Sequence, residues 1–94
     1  MPYKVNIVES DPNNKFLNSL PKSILPEFKK SLSHLGNYPY LGRSLSGVIS
    51  AYVYSFKITH RKREYNFAVS YKIDESNNTI NIINLGKQSI TRLK

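Results

Sequence analysis

Residues 52–73 read YVYSFKITHRKREYNFAVSYKI, and this stretch decides the fold. From Tyr52 to Thr59 the side chains alternate, placing Tyr52, Tyr54, Phe56 and Ile58 on one side and Val53, Ser55, Lys57 and Thr59 on the other. Residues 64–73 repeat the pattern, with Tyr65, Phe67, Val69, Tyr71 and Ile73 against Asn66, Ala68, Ser70 and Lys72. A period of two sustained this long predicts two strands, each with an aromatic face and a polar face. His60-Arg61-Lys62-Arg63 is then the hairpin between them.

Downstream, Asp74-Glu75-Ser76-Asn77-Asn78 has turn chemistry, Thr79 to Leu85 reads as a last strand, and Gly86 begins a basic tail. Upstream, Gly36 to Gly47 reads as a loop in which Tyr38 and Tyr40 pack. Two helices precede it. Asp11-Pro12 is a helix start, since Asp can accept first-turn amides and Pro sacrifices no bond there. Phe16, Leu17 and Leu20 mark its face, and Pro21 ends it. A second helix carries Leu25, Phe28, Leu32 and Leu35 near helical spacing, with Gly36 as its stop and His34 on its polar side. Pro26 fits if Ser23 caps this helix. Tyr3 to Val8, β-branched at Val5, Ile7 and Val8, is a first strand.

The expected architecture is α+β, in the order β-α-α-β-β-β, as a single domain over residues 1–94. The two helices must bury their apolar stripes, and the aromatic sheet face receives them. The opposite face, lined by Ser55, Lys57, Asn66, Ala68, Ser70 and Asn81, is left open as a place for a nucleic-acid site.

Composition narrows the partners. With 39% hydrophobic residues the chain can fill a core, and no apolar run approaches the roughly 20 residues that span a bilayer. The opening Met1-Pro-Tyr-Lys-Val is not expected to be a secretory signal, so a cytoplasmic protein without membrane contact is the simplest expectation. There is no cysteine, and two histidines with six scattered carboxylates argue against a metal site; no cofactor is expected. Fourteen Lys and Arg against six Asp and Glu give a net charge of +8, which favours polyanionic partners or serves solubility alone.

Several stretches, in this order, resemble the RelE/ParE toxin superfamily. Tyr3-Lys4-Val5 resembles the family's first strand, and Phe16 to Lys22 (FLNSLPK) resembles the end of its first helix. Asn37 to Gly47 (NYPYLGRSLSG) resembles its Asn-Pro…Leu-Gly-Lys-x-Leu-x-Gly loop. Tyr54 to Ile58, Tyr71 to Asp74 and Leu85-Gly86-Lys87 resemble the strand that begins the active face, the hairpin after the third strand, and the strand end before a catalytic tail. The resemblance implies the toxic half of a type II toxin–antitoxin pair. RelE-type toxins cleave mRNA on the ribosome, and ParE-type toxins poison DNA gyrase. Either is neutralised by a cognate antitoxin, here expected to be acidic and encoded by an adjacent gene.

Metal-independent RNA cleavage of this kind uses the ribose 2′-OH as nucleophile. It needs a proton acceptor, cations for the phosphorane-like charge, and an acid for the leaving oxygen. The resemblance places Lys57, Lys87 and Gln88 at catalytic positions of an endoribonuclease. His60 and Arg63 of the hairpin are added as candidates, His60 because its ordinary pKa is near 6.5. Arg43, Lys57, Arg61, Lys62, Arg63, Lys87 and Arg92 are the candidate RNA-binding cations. The sequence also departs from the family. Ser55 stands where Lys or Arg is common, and Ala68, or Asn66 after a two-residue slip, stands where a phosphate-binding Arg is expected. Gln88 replaces another Arg, and Lys94 ends the chain near the usual tail Tyr or His. An RNA-cleaving toxin, a non-enzymatic toxin and a catalytically silent antitoxin-binding protein all remain open.

Overall fold

The computed structural model describes residues 2–44 and 51–92, residues 87–92 by backbone alone. The elements are β1 (Lys4–Ile7), α1 (Asp11–Ser19), α2 (Leu25–Asn37), β2 (Arg43–Ser44), β3 (Ala51–His60), β4 (Arg63–Asp74) and β5 (Thr79–Arg92). They form a five-stranded sheet in the order β1-β5-β4-β3-β2, antiparallel except where β1 lies parallel to β5. The expected α+β order holds, with β2 added inside the stretch read as a loop. The rest of that loop, Leu45 to Gly47, lies outside the described residues.

Alternation in 52–73 translates directly into burial. Tyr65, Phe67, Val69, Tyr71 and Ile73 are all buried under the helices, as are Ile80 and Ile82 of β5. Phe28 of α2 stands edge-on to Phe67, with ring centroids 5.0 Å apart, and packs against Phe16 and Phe56 at 5.5 Å each. Such tilted and edge-to-face contacts add about 0.5–1.5 kcal/mol per pair to the area they bury.

The helix ends depart from the sequence reading. Ser10, not Asp11, caps α1: its extended backbone lets Oγ accept the Asn13 amide at 3.3 Å, leaving Asp11 inside the first turn. Ser23 does not cap α2. Ile24 holds that position with no side-chain bond to the first turn, and its side chain, fully buried, belongs to the apolar face in place of half-exposed Leu25. Gly36 is not a stop but lies within α2, where β1 passes so close that a Cβ would sit 2.6 Å from the Tyr3 carbonyl oxygen. That approach lets the Tyr3 amide donate to the Gly36 carbonyl at 2.7 Å.

The last strand does not end at Leu85: what reads as a basic tail from Gly86 continues β5 to Arg92. β5 continues along β4 until Arg92 faces Arg63, with register shifts opposite Ser70/Tyr71 and Asn66/Phe67. At the first shift Ile83 is the extra residue, because Ile82 pairs with Tyr71 and Asn84 with Ser70. Asn13, 1% exposed, serves this bulge: its Nδ2 donates to the Ile83 and Val8 carbonyls at 3.0 and 2.8 Å, and its Oδ1 accepts the Leu85 amide at 3.2 Å.

Tyr71 secures the other end of the sheet. Its hydroxyl donates to the Pro39 carbonyl at 2.8 Å and accepts the Gly42 amide at 3.0 Å. Gly42 must be glycine, since a Cβ would lie 2.6 Å from the Val53 carbonyl oxygen and 2.8 Å from this hydroxyl. Tyr40 packs edge-on to Tyr52 and donates to the Glu75 carboxylate, which is the main reason its phenol is pushed up to about 12. Tyr40 and Tyr38 nonetheless stay more than half exposed, so the expected packing of the loop is partial.

Removing the Asn13 amide strands two carbonyls and one amide in the interior, each a penalty of about 1–3 kcal/mol before relaxation. Asn13→Ala should therefore lower stability in urea by about 2–4 kcal/mol. Asn13→Asp should rescue little, because a carboxylate cannot donate to the two carbonyls. A loss below about 1 kcal/mol would show that the bulge is not held this way.

Candidate nucleic-acid interface

The open face is built by register. Lys57 faces Asn66, Ser55 faces Ala68 and Val53 faces Ser70, while β2 sets Arg43 opposite Val53. Asn6 donates to Asn81 at 3.2 Å at the far side of the same face. A shallow groove of about 240 Å³ runs over Ser55, Phe56, Lys57 and Asn66. The Lys57 side chain is 66% exposed, and its Nζ lies 3.9 Å from Glu64 Oε2. An exposed pair of this kind contributes about 0–1 kcal/mol, so a phosphate could displace Glu64. Glu64 still offsets part of the field that an approaching polyanion meets there.

The hairpin points the other way. His60 faces Arg63 across a two-residue turn in which Arg61 and Lys62 both take left-handed backbone, with φ of 50° and 62°. Counting by two from buried Ile58 and Tyr65 puts His60 and Arg63 on the helix side. There a cleft of about 410 Å³ separates the hairpin from Pro21 and Ser23 of the α1–α2 linker. His60 Nε2 is buried and, among the described residues, has no hydrogen-bond partner.

The sequence-derived catalytic set is thus divided. Lys57 stands on the open face, and His60 and Arg63 stand on the opposite one. The backbone of Lys87 lies opposite Phe67, Gln88 is the extra residue at the second bulge, and Arg92 lies opposite Arg63; their side chains, and Lys94, fall outside the described residues. Among the RNA-binding candidates, Arg61, Lys62 and Arg63 come together, Arg43 and Lys57 share the open face, and Arg92 joins the hairpin by register. The sequence reading, which ends the last strand at Leu85 and begins a basic tail at Gly86, does not bring that neighbourhood together. Among the described residues, no three His, Asp or Glu side chains are grouped to hold a metal ion, and no helix is long and apolar enough to cross a membrane.

No protein-family model matches the chain, and no curated protein matches it by sequence. Solved structures do match. A mutant of the Escherichia coli toxin RelE in the free state superposes with a TM-score of 0.65 at 18% identity, over 93% of this chain and 84% of that one. The chain has the RelE fold. The RelE fold recurs in the toxin–antitoxin complex RelBE2 of Mycobacterium tuberculosis (TM-score 0.61, 20% identity, 94% of this chain and 100% of that one). It recurs again in the archaeal RelE–RelB complex of Pyrococcus horikoshii (TM-score 0.54, 22% identity, 95% and 98%). Against this RelE frame the β3–β4 hairpin stands out for its chemistry, because a two-residue turn with both positions left-handed is normally filled by Asn-Gly. Non-glycine residues there cost about 1 kcal/mol each. Replacing Arg61→Asn and Lys62→Gly together should stabilise the fold by about 1–2 kcal/mol, read as a rise in melting temperature of several degrees. An unchanged or lowered melting temperature would mean that the cationic turn is not strained.

Proposed function

We propose that this protein is the toxin of a type II toxin–antitoxin pair and that it inhibits translation by acting on mRNA at the ribosome. The observation that carries the reading is a RelE fold whose open sheet face presents Lys57 and Arg43 over a polar floor. In this reading the chain works in the cytoplasm and its natural controller is an acidic antitoxin. Solved RelE chains crystallise with RelB partners, which supports a partner of that kind. Lys57 is the group best placed to stabilise charge on a phosphate lying along the groove, with Arg43 as an accessory cation.

A second reading is favoured by one specific feature. Around Lys57 the open face offers Ser55, Ala68 and Asn66, none of which can neutralise a phosphorane-like charge as an Arg would. In this alternative the toxin binds its target, the ribosome or DNA gyrase, and blocks it without cleaving.

Induced expression should arrest growth, and co-expression of the adjacent small acidic partner should relieve the arrest. Pulse labelling separates the readings: protein synthesis should stop first, with mRNA cleavage mapped by primer extension. Loss of DNA synthesis first would point to gyrase, and normal growth at confirmed expression would sink the toxin reading. Removing one preorganised charge from such a site costs about 10²–10³ in rate, so Lys57→Ala should abolish the arrest at equal protein level. Full toxicity of Lys57→Ala would move the site elsewhere.

A further inference from the structure

The cleft between the β3–β4 hairpin and the α1–α2 linker lies on the opposite side of the sheet from the groove at Lys57. It has its own walls, its own charges and its own unsatisfied group. Arg61, Lys62 and Arg63 converge on it with His60, and among the described residues no carboxylate lines it. On the open face, by contrast, Glu64 sits beside the lysine. Cations gathered without a counter-charge repel one another, and the turn that presents them is left-handed at both Arg61 and Lys62. Asn-Gly would fit that turn more easily. Retaining two long cations at strained positions makes sense where their charge is used.

The buried His60 Nε2 adds an independent observation. Among the described residues it has no partner, and an orphaned buried nitrogen calls for an explanation. An oxyanion would accept its proton once the groups that cover Nε2 moved aside on binding. Ser23 supplies a hydroxyl on the facing wall. Apolar lining is limited to Pro21 and Tyr65, little for a peptide side chain to bury, whereas a phosphate needs only donors.

We propose that this cleft is a phosphate-binding site that takes a phosphodiester of a nucleic-acid strand other than the one lying on the open face. The two sites would let the protein grip two strands, or two turns of one folded RNA, from opposite sides of its sheet. The proposal borrows from the proposed function only the class of polymer. It is tested on purified protein, so it stands or falls separately from any growth arrest.

The full chain is titrated with inorganic phosphate while amide and His60 ring resonances are followed, and its affinity for a 12-base-pair RNA duplex is measured across a salt series. Phosphate should shift residues 21–24 and 60–63. The Arg61→Asn/Lys62→Gly variant, whose fold should be firmer, should bind the duplex roughly tenfold or more weakly and flatten the log–log salt slope by roughly two. His60→Phe should remove the phosphate-induced shifts while keeping the melting temperature. Adding Lys57→Ala should multiply the loss, as expected of separate sites. Phosphate shifts confined to the open face would overturn the proposal, as would an unchanged affinity and slope in the hairpin variant. A poly-glutamate peptide that displaces the duplex and reproduces the same shifts would also overturn it, assigning the cleft to an acidic protein.

Discussion

Everything on the C-terminal side of this sheet depends on three hydrogen bonds from one buried amide. A bulge leaves backbone groups out of the ladder, and buried groups of that kind need partners. Asn13 supplies them, donating twice and accepting once, a combination that neither Asp nor an apolar side chain can reproduce. The bulge at Ile83 then resets the alternation of β5. Ile80 and Ile82 face the helices before it, and Leu85, opposite buried Val69, faces them after it. With an unbroken period of two, Leu85 would fall on the open face. Because Asn13 sits in the first turns of α1 and also donates to the Val8 carbonyl just beyond β1, the same residue ties the helix, the edge strand and the course of the tail to one another.

How much of this could be read beforehand follows from how local each cause is. Faces of β3 and β4 were legible because alternation is written residue by residue and the aromatic side was unambiguous. Helix ends were not. Ser10 and Asp11 both suit a cap, and the choice turns on backbone geometry that sequence does not display. Gly36 looks like a helix stop, yet its real constraint is the Tyr3 carbonyl, a contact between residues far apart in sequence. The tail was missed at Gly86, where a breaker residue outweighed a global requirement. β4 is 12 residues long and β3 covers one edge of it. A last strand stopping at Leu85 would leave the hairpin half of the other edge unpaired, so the length of β4 already called for a longer neighbour.

The candidate site was legible in part for the same reason. Lys57 was placed on the open face by counting, and there it is. His60 and Arg63 were grouped with it by chemistry, although the same count puts them with Ile58 and Tyr65. Chemistry collects residues by type, whereas a strand separates them by parity. Glu64 shows the complementary case. Its approach to Lys57 crosses from one strand to the next on a diagonal, because Thr59 faces Glu64 and Lys57 faces Asn66. Only the hairpin register, set by the two-residue turn, makes that neighbour visible.

The division of cations between two faces has an electrostatic consequence that the net charge conceals. The two faces are separated by the sheet and its side chains, and the Debye length at physiological ionic strength is about 8 Å. Seen from several nanometres in dilute salt, the hairpin and the open face are one positive end, and their fields add in steering a polyanion. At contact in physiological salt each face is largely screened from the other. On the open face Lys57 already leans on Glu64, so a polyanion binding there would exchange one weak ion pair for another. Among the described residues the cleft has no such internal partner, and its cations are presented by a turn. Net attraction to a polyanion should therefore be stronger per charge at the hairpin than at Lys57.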